Sequence, residues 1–140
     1  MSKIAVVYWS GTGNTQAMAE AVADGAKSAG AEVSLFTCTE FDAGTADSFD
    51  AIAFGCPAMG DEVLEESEFL PVFESCEGKL KGKKIALFGS YGWGDGEWMR
   101  NWEETCKADG AVLACDSVIC NDAPDGSAVD DCKNLGKALV

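Results

Sequence analysis

The hydrophobic residues of this chain fall into short runs, separated by stretches in which they recur every three or four positions. Ile4 to Trp9 is the first run, and Met18, Val22, Gly25 and Ala29 then repeat at the spacing of one helix face. Ala31 to Phe36 alternates instead, with Val33 and Leu35 on one side, as a half-buried edge strand does. Residues 38 to 49 read as a looser crossover containing Phe41 and Phe49. Ala51 to Cys56 and Ile85 to Gly89 are unbroken apolar runs, the pattern of central parallel strands covered on both faces. Between them Phe69, Val72, Phe73 and Cys76 share a helical face, with Pro71 in the first turn, where its missing N–H costs nothing. Asp95 is placed to cap a further helix carrying Trp98, Trp102 and Cys106. Ala111 to Cys120 supplies a fifth strand, and Asp125 starts a last helix through Val129, Cys132, Leu135 and Leu139.

Five strand–helix units predict an α/β fold, a doubly wound five-stranded parallel sheet with helices on both faces. The 140 residues suit a single domain over 1–140 that buries its own core, with no linker or repeat to divide it. Met1-Ser2-Lys3 leads directly into the first strand, so no signal peptide is expected, and no stretch approaches the length of a membrane span. Ten basic residues against twenty-four acidic ones leave a net charge of −14. Such a surface repels nucleic acid and anionic lipid and attracts basic protein faces.

Seven cysteines, an odd number, contain no C-x-x-C pair, and the chain has no histidine. Cys56, Cys76, Cys115 and Cys132 sit at apolar positions of predicted elements and read as small core residues in a reducing cytoplasm. A zinc or iron–sulfur centre is not expected. The absence of histidine removes the usual general base, and Arg100, the only arginine, lies far from any Cys-x5-Arg spacing.

Ligands of a doubly wound sheet bind beyond the carboxyl ends of its strands, where the winding direction changes. Three loops should meet there: Ser10–Thr15, Cys56–Glu62 and Ser90–Glu97. The first, Ser10-Gly11-Thr12-Gly13-Asn14-Thr15, offers hydroxyls, an amide and backbone N–H groups at a helix start, and so a cradle for a phosphate. It holds no Lys or Arg, which excludes a Walker A loop, and Gln16 replaces the third glycine of a dinucleotide fingerprint. In the second loop, Pro57-Ala58-Met59-Gly60-Asp61-Glu62, Gly60 suits a turn with positive φ and allows the Gly60–Asp61 peptide to flip at little cost. In the third, Ser90-Tyr91-Gly92-Trp93-Gly94, Trp93 follows no helical or strand period, so its ring is available to stack on a planar partner. Trp98 and Trp102 instead read as packing residues.

These three motifs, in this order and on these elements, resemble the flavodoxin family, and the likeness runs from Lys3 to the last helix. Without a long insertion in the fifth strand, the chain is similar to the short-chain branch. The resemblance implies strand order 2-1-3-4-5 and non-covalently bound FMN. It implies that Ser10, Gly11, Thr12, Gly13, Asn14 and Thr15 bind the FMN phosphate, with a hydroxyl from Ser90. Pro57, Ala58, Met59, Gly60 and Glu62, with Tyr91, Gly92, Trp93 and Gly94, would hold the isoalloxazine. In that scheme Trp93 covers the outer face of the ring and Met59 the inner one, the Gly60 carbonyl turns inward to accept N5–H, and Glu62 accepts N3–H. Asn121 and Asp122 would approach the ribityl chain or ring edge. The function implied is a cytoplasmic, monomeric, low-potential one-electron carrier working through the semiquinone/hydroquinone couple. Its partners would be basic-faced redox proteins, oxidoreductases that also use ferredoxin-type carriers.

Two other readings share this fold. An NAD(P)H-dependent flavin oxidoreductase would need a second nucleotide site, and no second fingerprint is present. A receiver-type or other anion-binding module would need an acidic cluster after the first strand and a lysine after the fifth. Here those positions read Trp9-Ser10 and Ile119-Cys120-Asn121-Asp122.

Overall fold

Residue alternation along three central strands divides the interior of the protein into two cores. The computed structural model describes residues 2–60 and 62–140. Strands β1 (Lys3–Tyr8), β3 (Ala51–Gly55) and β4 (Lys84–Tyr91) are buried along nearly their whole length. Successive side chains leave a strand on opposite faces. Ala5, Val7, Ile52, Phe54, Ile85 and Leu87 therefore enter one core, and Ile4, Val6, Ala51, Ala53, Ala86 and Phe88 the other.

Helices α3 (Phe69–Cys76) and α4 (Glu97–Ala108) close the first core with Phe69, Phe73, Trp98 and Trp102. Burying each such side chain contributes about 1.5–3 kcal/mol. Helices α1 (Asn14–Ser28) and α5 (Gly126–Ala138) close the second core with Met18, Val22, Cys132 and Leu135. Two glycines bring these helices into backbone contact. A Cβ on Gly25 would overlap the Lys133 carbonyl, and one on Gly136 would overlap the Val22 carbonyl. Pro71 is the third residue of α3, inside the first turn as expected.

The sheet is parallel in the order β2-β1-β3-β4-β5, with β2 at Glu32–Thr37 and β5 at Val112–Leu113, as the sequence predicts. The fifth position is not one strand, however. β5 pairs with Lys84 and Ile85, and a separate β6 (Val118–Asn121) pairs with Phe88–Tyr91. From Leu113 to Val118 the edge takes five steps where β4 takes three, from Ile85 to Phe88, so two surplus residues bulge outward. Ser117 fastens the bulge to α4 by donating to the Glu103 carboxylate at 2.8 Å.

At the other edge, Val33 packs into the core but Leu35 is 42% exposed. Phe36, on the opposite face of β2, packs tilted against Phe41 and edge-on against Phe49 from the crossover, which contains the four-residue helix α2 (Ala43–Ala46). Ala29 lies beyond the end of α1 and is exposed.

All seven cysteines are free. Five are buried, whereas Cys115, expected in the core, lies half-exposed in the bulge. Burial pushes the Cys106 and Cys132 thiols up to about 12, so they stay protonated. Among the described residues no helix is long and apolar enough to cross a membrane.

Candidate functional site

Strands β2 and β3 flank β1 on opposite sides, so the chain leaves β1 one way and β3 the other. The crevice this opens at the carboxyl ends of the strands is a cleft of about 280 Å³. All three loops singled out from the sequence line it. The first contributes Gly11, Thr12 and Asn14, the second Pro57, Ala58 and Met59, and the third Ser90, Tyr91 and Gly92.

The first loop is shaped from within. Ser10 Oγ accepts the Gly13 N–H at 3.0 Å, which bends the chain into α1. Gly13 stands at the helix N-cap with φ +94°, a left-handed conformation that favours glycine, and nothing approaches the position of its missing Cβ. No side chain caps this helix and no acidic residue occupies its first turn. The first-turn N–H groups and the positive end of the helix dipole are thus left for an anion. Thr15 is buried, and its hydroxyl lies 3.4 Å from Ser90 Oγ, tying the first loop to the third. Ser10 and Thr15 are therefore internal braces, while Thr12 and Asn14 line the cleft.

The second loop is tethered along its length. Ala58 N–H donates to Ser90 O at 3.0 Å, Met59 N–H to Val63 O at 2.9 Å and Glu62 N–H to Met59 O at 2.9 Å. The positive φ expected at Gly60 falls instead on Glu62, at 53°. Narrow pairing of Met59 with Val63 explains the shift, because a three-residue turn of this kind closes on a left-handed residue at its end. The Gly60–Asp61 peptide, expected to flip, includes Asp61, which lies outside the described residues.

Glu62 does not line the cleft. Its Oε1 accepts the Asp95 N–H at 3.2 Å beside Gly94, which joins the second loop to the third. Trp93 is 63% exposed, whereas Trp98 and Trp102 are buried packing residues, as predicted. The start of α4 differs from the expected Asp95 cap. Gly96, at φ +95°, is the N-cap, and Asp95 instead pairs with Arg100 at 3.0 Å. A left-handed residue there turns the chain into the helix before a carboxylate at 95 can reach its first N–H groups.

Two further side chains line the cleft. Trp9 ends the first apolar run of the sequence. Its Nε1 donates to Glu68 at 2.9 Å, and its ring lies tightly under Gly11. Its place directly before the phosphate loop was a usable signal. Asp122, at φ +58°, donates its N–H to Tyr91 O at 2.8 Å and faces the cleft from the end of β6. Among the described residues it is the one charged residue lining the cleft, and no Lys or Arg is among them.

An anion cradle of neutral donors beside a slot walled by Trp9, Met59 and Tyr91 suits a planar ring that carries a phosphate, and the class is that of α/β proteins with a ligand cleft at the change of winding. The flavodoxin family model matches residues 6–136, and the chain belongs to that family. It is 47% identical over 135 residues to a flavodoxin of Clostridium beijerinckii, covering 96% of this chain and 97% of that one. With a Megasphaera elsdenii flavodoxin it shares 45% over 137 residues, covering 98% of each. The solution structure of two-electron reduced Megasphaera elsdenii flavodoxin superposes with a TM-score of 0.90 at 46% identity, covering 97% of each chain. As a member of this family the chain binds FMN and carries electrons. Flavodoxins are among the proteins from which the rule placing ligands at the change of winding was drawn, so the position of the cleft is no independent test of it.

Proposed function

We propose that this protein is a low-potential, single-electron carrier with no substrate of its own, serving redox proteins that present basic faces. The observation that carries the reading is the cleft itself, where three loops converge around neutral donors and aromatic rings, with Asp122 the one charge among the described residues lining it. FMN supplies the electron chemistry when bound, and the protein supplies position and electrostatic environment. Thr12, Asn14 and the first-turn N–H groups of α1 would hold the phosphate, with Ser10, Gly11, Gly13, Thr15 and Ser90 shaping and bracing that loop. Met59 would cover the inner face of the ring and Trp93 the outer one, with Pro57, Ala58, Tyr91, Gly92 and Gly94 setting the width of the slot. The Gly60 carbonyl would accept a proton-bearing nitrogen at the ring edge. Glu62 has its Oε2 free to accept a second ring N–H while Oε1 holds Asp95.

With no cation lining the cleft, each added negative charge is poorly compensated in a medium less polar than water. That favours a low potential for the second electron. The net charge of −14 would steer the carrier to basic partner faces. The seven free thiols suit a reducing cytoplasm.

The experiment is anaerobic reductive titration of the FMN-loaded protein, followed by its visible spectrum. Two well-separated one-electron stages are expected, and bleaching in one two-electron stage would overturn the carrier reading. Delivery of electrons to a ferredoxin-dependent oxidoreductase should slow as salt is added. Rates indifferent to salt would overturn the docking scheme.

A further inference from the structure

The second cofactor loop has two feet, and each stands on a buried polar contact. Its N-terminal foot, Cys56, is fixed by Cys56 N–H to Phe88 O at 3.1 Å and by Trp98 Nε1–H to Cys56 O at 3.2 Å. Its C-terminal foot is Glu65, a carboxylate only 6% exposed, with no Lys or Arg within ion-pairing distance among the described residues. Oε1 accepts the N–H groups of Glu68 at 2.7 Å and Phe69 at 2.8 Å, and Oε2 accepts that of Ser67 at 2.8 Å. Glu65 N–H in turn donates to Cys56 Sγ at 3.4 Å, which joins the feet.

A charge buried this deeply persists only when its hydrogen bonds are complete, and removing one partner leaves the rest unsatisfied. Between the feet, Met59 and Glu62 are held to Val63 and to each other but make no backbone contact with α3. At its C-terminal end the loop is joined to α3 by the three bonds of the Glu65 carboxylate and by the Leu70 N–H, which donates to Glu65 O at 2.9 Å. Glu68, whose N–H is bound by Glu65, also accepts the Trp9 indole, so the same turn supports the opposite wall of the cleft.

We propose that Glu65 is a positioning residue of the FMN site, acting through the Cys56–Glu65 loop to set where Met59 and Glu62 meet the ring. This rests on the reading that residues 57–62 contact the cofactor. Glu65 is not among the described residues that line the cleft.

The test is the pair Glu65→Gln and Glu65→Ala, with Asp42→Ala as control. Asp42 makes the same kind of carboxylate-to-backbone cap, on Thr45 N–H at 2.8 Å at the start of α2. FMN dissociation constant, both midpoint potentials and amide exchange of residues 57–64 are read on FMN-loaded protein. Glu65→Gln keeps the shape but loses one acceptor. It should weaken FMN binding roughly tenfold, the effect of one lost charge-assisted hydrogen bond, shift the potentials and speed exchange in the loop. Glu65→Ala should do all three more strongly, and Asp42→Ala none.

Wild-type affinity and potentials in Glu65→Gln, with only the melting temperature lowered, would overturn the proposal by making Glu65 a helix cap alone. If Glu65→Ala does not fold, Glu65→Gln decides the matter. Met59→Ala separates the two claims. Unchanged affinity there would overturn the assignment of the loop to the ring, whereas a changed affinity beside an inert Glu65→Gln would overturn this inference only.

Discussion

The carboxylate of Glu62 occupies the space that a side chain on Gly94 would fill. Gly94 is at φ +88°, so an L-residue there would also be strained by about 1–2 kcal/mol. Gly94→Ala should therefore lower the stability of the apoprotein by at least that amount and displace Glu62, weakening FMN binding. Gly60→Ala is the contrast, because nothing lies within 4 Å of the added methyl and the backbone there is not left-handed. It should leave stability unchanged and alter only the potentials. Thermal melts and fluorescence titration with FMN, run on both variants, check the difference.

Trp93 is the most exposed large apolar side chain of the described residues and belongs to neither core. Trp93→Ala should leave apoprotein stability within about 0.5 kcal/mol of wild type. If the ring stacks on the flavin, FMN affinity should fall about two- to tenfold, matching the worth of an aromatic pair. Flavin fluorescence quenching should fall with it, and unchanged quenching would make Trp93 a surface aromatic without a role.

Glu77 ends α3 beside Asp109 at the end of α4. Burial first, and then the Asp109 charge, push its carboxyl above the ordinary range. A raised folded-state pKa contributes stability that is present at low pH and lost as pH rises through it. Glu77→Gln, which mimics the protonated form, should raise the melting temperature at pH 7 and have no effect below about pH 4. Melts across that range decide it.

Glu65 titrates in the opposite sense. Burial alone would raise it, but the N–H groups of Phe69, Glu68 and Ser67 together outweigh burial and hold it below the ordinary range. Its contribution is complete above the unfolded-state pKa and is lost as pH falls through the folded one. In Glu65→Gln the fall in stability on acidification should accordingly be shallower than in wild type, as followed by acid-unfolding curves.

The sheet order, the two-sided strands and the meeting of three loops at one cleft were legible because each has a local signal: continuous apolar runs at 51–56 and 85–89, and glycine-bearing loops after the first, third and fourth strands. Features set by backbone pairing and by burial were not. The break at 114–117 follows from a two-residue surplus against β4, which the apolar pattern of one strand cannot report. Positive φ at Glu62 rather than Gly60 depends on pairing between Met59 and Val63. Glu65 resembled any acidic loop residue among Glu62, Glu66 and Glu68, and only the fold reveals that it alone is buried.

The close approach of Gly25 and Gly136 ties the first quarter of the polypeptide to the last. Each absent Cβ faces backbone of the other helix, so no change of a neighbouring side chain could make room for one. The loop before α1 is encoded within the first fifteen residues, and α1 packs on the strands of the sheet, yet its partner helix α5 exists only once residues 126–138 have been synthesised. During translation α1 is thus among the first helices written, and the last to gain its helical neighbour.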